Sequence, residues 1–271
     1  MNNLTRSILV AASMFGCAEV AMAGSSQAGF RPLPMAEVTP FAEEVEEILA
    51  ARGVHVALVG RVGRDRSDLP DGIQYTHVGF WVYSDIRAED GSVRRGYRVY
   101  NLYQRERQPN VSDLVQDRPV DFLAGAVQLE AGIIIPDPRL QAKLITVLNS
   151  DAYAEMHNPD YSLLSNPGND VYQNCTEFTL NVLVAALYGT DDMDRVKSNI
   201  RAHFSPQVIR ISGFKRALGP VFMAGIAMDD HGARIRTATF GTISRFMTQH
   251  GLATETIMLT PSGTQALSGG V

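Results

Sequence analysis

Residues 76–104 read THVGFWVYSDIRAEDGSVRRGYRVYNLYQ, and this stretch decides the fold. Its two halves are rich in Val, Tyr, Phe and Trp and alternate these residues with polar ones, which is typical of half-buried strands. The polar segment between the halves contains a glycine suited to a tight turn. The stretch therefore predicts an antiparallel β-hairpin.

The segments on either side of the hairpin predict helices and further strands. Residues 39–52 place their apolar side chains on one helical face, with Thr39 as the cap, Pro40 at the first helical position and Gly53 at the end. Further strands are predicted at 54–62, 127–136 and 254–262, and further helices at 138–149, 175–190, 192–204 and 242–251. Residues 112–125 are predicted to form a loop and a short helix. Strand-like pieces or short helices are predicted at 208–214, 222–228 and 234–240. Strands and helices are segregated, so we expect one α+β domain with an antiparallel sheet packed against helices.

Composition excludes two classes of partner. The chain has 271 residues, of which 45% are hydrophobic and 20% charged, as in an ordinary globular protein. Its formal net charge of -5 supplies no basic surface for nucleic acid or for an anionic membrane. We therefore expect neither a nucleic-acid partner nor stable membrane insertion.

The N-terminus predicts export. Residues 1–23 contain one Arg, a short apolar run and an A-x-A site ending at Ala23, which is typical of a cleaved signal peptide. The apolar run is far shorter than the roughly 20 residues that span a bilayer. Residues 24–38 are then predicted to be a flexible leader and residues 39–271 a single domain in a periplasmic or secreted protein. Processing as a lipoprotein at Cys17 is the less favoured alternative.

Cysteine usage points to one residue. The chain has two cysteines, and cleavage after Ala23 removes Cys17 and leaves Cys175. A single thiol in an oxidising compartment is inert and buried, paired between chains, or kept for its reactivity. Cys175 is predicted at the start of a helix, where exposed N–H groups and the positive dipole end favour a thiolate. A small buried residue in the first helical turn is the alternative interpretation.

Among the six histidines, His77 is the candidate base because it begins a predicted strand, with the small Gly79 two residues later on the same side. A half-buried structural histidine remains equally compatible with that position. On the second strand Asn101 or Gln104 could orient the imidazole: a turn centred near Glu89 places Asn101 opposite His77, and a slightly later turn places Gln104 there. A polar residue on the open face of a strand is the alternative for either one.

No HxxxH or CxxC spacing occurs, so we predict no metal and no cofactor.

A histidine strand, a polar residue on the next strand, and the string Asn174-Cys175-Thr176-Glu177-Phe178 at a helix start together resemble a known superfamily. This order resembles the circularly permuted branch of the papain-like (NlpC-type) superfamily, which includes lecithin:retinol acyltransferase and bacterial lipid- or peptide-directed hydrolases. The resemblance covers roughly residues 54–190 and implies a papain-like core with a C-terminal extension. It implies that Cys175 is the nucleophile, His77 the base and Asn101 the orienting residue.

The mature chain also resembles, more closely, an uncharacterised family of exported bacterial proteins, through the strings THVGF, YSLLSNP and YQNCTEF. These resemblances predict an exported cysteine hydrolase or acyltransferase that acts on an amide or ester, with a cell-wall peptide or a lipid acyl group as substrate. The alternative is a non-catalytic envelope protein that retains the fold and binds a partner. Composition and spacing give neither the substrate nor the oligomeric state.

Overall fold

The computed structural model describes residues 31–87, 90–210 and 225–267, so the predicted signal peptide and residues 24–30 of the predicted leader lie outside it. The helices are α1 (Met35–Ala51), α2 (Pro119–Leu123), α3 (Pro138–Leu148), α4 (Asp151–Glu155), α5 (Cys175–Tyr188), α6 (Met193–His203) and α7 (Phe240–Gln249). The strands are β1 (Val56–Arg61), β2 (His77–Arg87), β3 (Val93–Arg105), β4 (Gln108–Asp117), β5 (Ala131–Pro136), β6 (Gln207–Ile209), β7 (Ile235–Thr237), β8 (Ala253–Thr260) and β9 (Gly263–Ala266).

Seven strands form one antiparallel sheet in the order β4-β3-β2-β1-β5-β8-β9, and β6 and β7 form a separate pair. The predicted hairpin is β2 and β3, in which Phe80 pairs with Tyr100. The expected α+β class with an antiparallel sheet packed against helices is confirmed.

Helices cover both faces of this sheet, because successive strand residues point to opposite sides. On one face, Phe80 of β2 belongs to an apolar cluster with residues of α3, α5 and α7. On the other face, Trp81 belongs to a second cluster with residues of α1 and α2. The sheet is therefore the middle layer between two cores, and side chains near its centre are withdrawn from water.

Helix α5 runs through the first core. Asn174 is its N-cap, and its side chain accepts a hydrogen bond from the N–H of Glu177. Gly189 ends the helix with a φ of 64°, a left-handed conformation that glycine adopts without steric cost. Twelve of its fourteen residues are buried, as its apolar sequence predicts. The first turn of α5 is therefore held both by the Asn174 cap and by the burial of its own side chains.

Two predicted boundaries were wrong. Helix α1 begins at Met35, so residues 35–38 are helical rather than part of a leader, and Val38 is fully buried. Pro40 lies inside α1 instead of opening it. Residues 112–117, predicted as loop and short helix, belong to β4, an edge strand whose mixed polar sequence hides its pairing with β3. The predicted strand-like pieces 208–214 and 222–228 fall partly outside the described residues.

Candidate active site

His77 and Asn101 form a buried pair. Each is 1% exposed, and Nε2 of His77 lies 2.8 Å from Oδ1 of Asn101. The amide orientation is fixed because Nδ2 of Asn101 donates to the carbonyl of Val115 at 3.0 Å. Its oxygen therefore faces the imidazole and can only accept, so Nε2 carries the proton. Nδ1 is left as a lone-pair acceptor, and it is buried without a hydrogen-bond partner among the described residues.

The strand register differs from both predicted alternatives. Because Phe80 pairs with Tyr100, Asn101 lies across from Gly79 rather than from His77, and it reaches the imidazole diagonally. The absent side chain at Gly79 makes this possible, since a Cβ there would lie 3.1 Å from Cβ of Asn101. Gln104, the other candidate, donates instead to the carbonyl of Pro109 at 2.7 Å. Asn101 is the residue that hydrogen-bonds His77.

Three further buried residues surround the imidazole. The ring of Tyr103 stacks on His77 with a centroid distance of 4.6 Å, and its hydroxyl donates to Oδ2 of Asp117 at 2.7 Å. Arg61 pairs with His77 across β1 and β2, and its guanidinium lies 5.7 Å from the Tyr103 ring centroid. Burial, and then the charge of Arg61, hold the pKa of His77 well below its ordinary 6.5, against the opposing effect of the hydrogen bond that His77 donates to Asn101. His77 is therefore neutral at physiological pH and can act as a base.

Cys175 occupies the first position of α5, as predicted. It is 5% exposed, and its Sγ lies 3.9 Å from the carbonyl oxygen of Thr76, the residue immediately before His77. The cap residue Asn174 holds this turn through three bonds, accepting from the Glu177 N–H and the Thr176 hydroxyl and donating to the Leu163 carbonyl. The thiol is therefore firmly positioned at the beginning of β2.

The three predicted site residues are only partly brought together. His77 and Asn101 are in direct contact, whereas Cys175 contacts the backbone of the residue beside His77. Cys175 belongs to the core on the α5 face of the sheet, and the His77 ring contacts Phe122 of the core on the other face, with centroids 5.2 Å apart. Since Nδ1 of His77 has no hydrogen-bond partner in the described chain, the thiol and the imidazole are not hydrogen-bonded in this structure.

Sequence reasoning missed Arg61, Tyr103 and Asp117. An arginine at the end of the otherwise apolar β1 was an available signal, because a charge in a buried strand needs a partner. Tyr103 appeared to be an ordinary strand aromatic. Asp117 could not be placed because its strand was predicted as a loop.

Within the described ranges, no group of three His, Cys, Asp or Glu side chains is arranged to hold a metal ion. In the same residues, no helix combines the length and apolar character needed to cross a membrane.

The chain belongs to a family of bacterial proteins described as "uncharacterized protein conserved in bacteria" (DUF2145), whose model matches residues 48–247. The predicted likeness to an uncharacterised bacterial family is confirmed at this level, and export remains a prediction. Comparison with curated proteins and with solved structures found no match, so the papain-like likeness remains a prediction as well.

Proposed function

We propose that this protein is an exported cysteine hydrolase or acyltransferase with a circularly permuted papain-like core, in which Cys175 is the nucleophile, His77 the base and Asn101 the residue that orients His77. The observation that carries the proposal is the open Nδ1 of His77. This nitrogen is a buried, unpartnered acceptor on a neutral imidazole whose other nitrogen is held by Asn101. Buried polar atoms are usually satisfied, so an unpartnered acceptor on an imidazole needs an explanation, and a catalytic role is one.

The position of Cys175 adds independent support. The thiol lies at the first turn of a capped helix, where N–H groups and the dipole stabilise negative charge on sulfur and on an oxyanion. It contacts the carbonyl of Thr76, whose carbon is bonded directly to the backbone nitrogen of His77. The thiol therefore lies against the backbone at the start of β2, one residue from the proposed base.

The reaction proceeds in two stages. His77 Nδ1 takes the thiol proton, the sulfur forms a bond to the carbonyl carbon of an amide or ester, and the carbonyl electron pair moves to oxygen. The tetrahedral intermediate collapses, its carbon–nitrogen or carbon–oxygen bond breaks, and the leaving group takes the proton from His77. Water, or an acceptor hydroxyl or amine, then attacks the thioester while His77 accepts its proton. The carbon–sulfur bond breaks, the sulfur takes the proton back from His77, and the acid, ester or amide is released.

The resting arrangement must change before this chemistry. Sγ must leave the Thr76 carbonyl and move past the start of β2 to Nδ1, because the two side chains lie toward opposite faces of the sheet and are not hydrogen-bonded in the structure. Because Cys175 is 5% exposed, the site must open transiently to admit substrate or a small alkylating reagent. Apo active sites commonly have loose catalytic contacts that tighten when substrate binds.

The proposed substrates are peptides of the cell wall or lipid acyl groups. This choice rests on the predicted export of the chain and on its resemblance to peptide- and lipid-directed hydrolases, since fold does not determine substrate.

The proposal is tested by the pH dependence of Cys175 alkylation in the native chain. The labelled peptide is quantified by mass spectrometry, so that Cys17 is not counted. We expect labelling below pH about 8.5, where an ordinary thiol titrates, and we expect His77→Ala to slow it. His203→Ala, which changes an exposed histidine at the end of α6, is the matched control and should label as the wild type does.

A second candidate function is favoured by the burial of Cys175 and by its location on the opposite side of the sheet from the His77 ring. In this alternative the cysteine is structural and the protein binds an envelope partner. Labelling of Cys175 only after denaturation, with equal rates in both histidine variants, would reject the enzyme and favour the binding protein.

A further inference from the structure

The carboxylate of Asp117 contacts both Asn101 and Tyr103, the two residues that hold the His77 imidazole. Oδ2 of Asp117 accepts the hydroxyl of Tyr103 at 2.7 Å and also lies 3.5 Å from Nδ2 of Asn101. Asn101 holds the edge of the imidazole through Nε2, and Tyr103 holds its face through stacking. The same oxygen atom therefore restrains both contacts of the imidazole.

The contacts among His77, Asn101, Tyr103 and Asp117 are all buried. Asp117 is 8% exposed, and the other three residues are less exposed than that. A buried carboxylate is costly unless it is hydrogen-bonded or paired, so its presence needs a reason beyond packing. Strand register provides the means, because Asp117 pairs with Val99, two residues before Asn101 on the same side of β3.

The protonation states fit the arrangement. Burial raises the pKa of Tyr103 well above its ordinary 10, so its hydroxyl remains a donor to Asp117. The charged groups around the imidazole are Asp117, on β4, and Arg61, on β1, whose guanidinium lies near the same tyrosine ring.

We propose that Asp117 is a positioning residue, which through Asn101 and Tyr103 fixes the orientation of His77 and keeps its proton on Nε2. Its catalytic meaning rests on the proposed function, because an imidazole with its proton on Nε2 has Nδ1 ready to accept the thiol proton. The positioning itself does not depend on whether Cys175 reacts.

The test is ¹⁵N NMR of the full chain labelled at histidine, with the His77 signals assigned by their absence in His77→Gln. In the wild type we expect one neutral form, with a protonated Nε2 and an unprotonated Nδ1. Asp117→Val removes the shared acceptor and should replace this pattern with averaged or broadened signals. Asp117→Asn should restore the wild-type pattern, because an amide oxygen can accept both bonds.

The matched control is Asp113→Val, which changes a half-exposed aspartate on the same strand that pairs with Arg105 at 2.7 Å and should leave the His77 signals unchanged. If Asp117→Val does not fold, Tyr103→Phe decides, because it removes the tether and retains the ring. Wild-type His77 signals in Tyr103→Phe and in any folded Asp117→Val would overturn the proposal. A uniform His77 pattern in wild type with no labelling of native Cys175 would instead refute the proposed function and leave the positioning role intact.

Discussion

Two buried polar clusters differ in the contact at their centre, which is a neutral hydrogen bond in one and an ion pair in the other. The first is the His77 cluster, made of Arg61, His77, Asn101, Tyr103 and Asp117. The second is the ion pair of Glu177, in the first turn of α5, with Lys197 of α6, whose Nζ lies 2.5 Å from Oε1. Both are almost fully withdrawn from water.

The ion pair joins opposite charges and ties two helices together, so its role is mechanical. The His77 cluster joins a neutral imidazole to an amide and leaves Nδ1 without a hydrogen-bond partner among the described residues, while the ion pair leaves Oε2 of Glu177 without one there. An unmade buried hydrogen bond costs about 1–3 kcal/mol, so each open acceptor destabilises its own cluster. The ion pair joins α5 to α6, whereas the open acceptor of the His77 cluster belongs to a neutral imidazole, a group suited to proton transfer.

The largest expected effect comes from breaking the ion pair. Lys197→Met should lower the free energy of unfolding by about 3–5 kcal/mol at pH 8, because it leaves the Glu177 carboxylate buried without its partner. Urea denaturation followed by circular dichroism measures the loss. Glu177→Gln/Lys197→Met should recover part of it, because no charge then remains buried.

The control for that variant is Arg52→Met, which breaks the surface pair of Arg52 with Glu255 at 3.0 Å. A half-exposed pair contributes about 1 kcal/mol or less. Equal losses in Arg52→Met and Lys197→Met would contradict the anchoring role of the buried pair.

The two clusters should also respond to pH with opposite signs. Burial, opposed by Lys197, raises the pKa of Glu177 from 4.5 to about 7, so its contribution to stability is present below pH 4.5 and is lost as pH rises through about 7. The pKa of His77 is lowered, so its contribution is present above pH 6.5 and is lost as pH falls. Acid therefore weakens one cluster and alkali the other.

Unfolding free energies measured from pH 4.5 to 8 test this. Over that range the free energy of unfolding of the wild type, relative to that of Glu177→Gln, should fall by about 3 kcal/mol, which corresponds to the pKa shift of Glu177. Relative to His77→Gln, it should lose stability in the acid direction. Parallel pH curves for the wild type and either variant would show that the corresponding residue is not titrating as the structure requires.

The sequence predicted what depends on local pattern. The hairpin and the start of α5 at Cys175 lie within segments whose periodicity and turn residues are clear, whereas the register that brings Asn101 to His77 was not predicted. The edge strand β4 was missed because its outer side chains are polar, and Asp117 was missed with it.

Long-range pairings of charged residues could not be predicted. Arg61 meets His77 only after two strands separated by a polar loop have paired, and Lys197 meets Glu177 only after α6 has packed on α5. A single sequence marks charged residues as exposed by default, because most of them are. Both clusters therefore form only when the tertiary structure forms.

The smallest expected effect separates the clusters most sharply. Gly79→Ala adds a Cβ that would lie 3.1 Å from Cβ of Asn101 and 3.0 Å from Cγ1 of Val99, so β3 must shift beside the Asn101 side chain that holds His77. Overpacking of this kind costs about 1–3 kcal/mol. We expect a lower urea midpoint and a perturbed His77 ¹⁵N pattern, with the alkaline loss of stability from Glu177 unchanged. Gly241→Ala is the control, because its nearest neighbour would be the Thr239 hydroxyl at 3.8 Å. If both glycine variants kept the wild-type His77 signals, the close approach of the two strands at Gly79 would not be what aligns Asn101 with His77. The His77 cluster would then accept an added methyl group without a change in the imidazole.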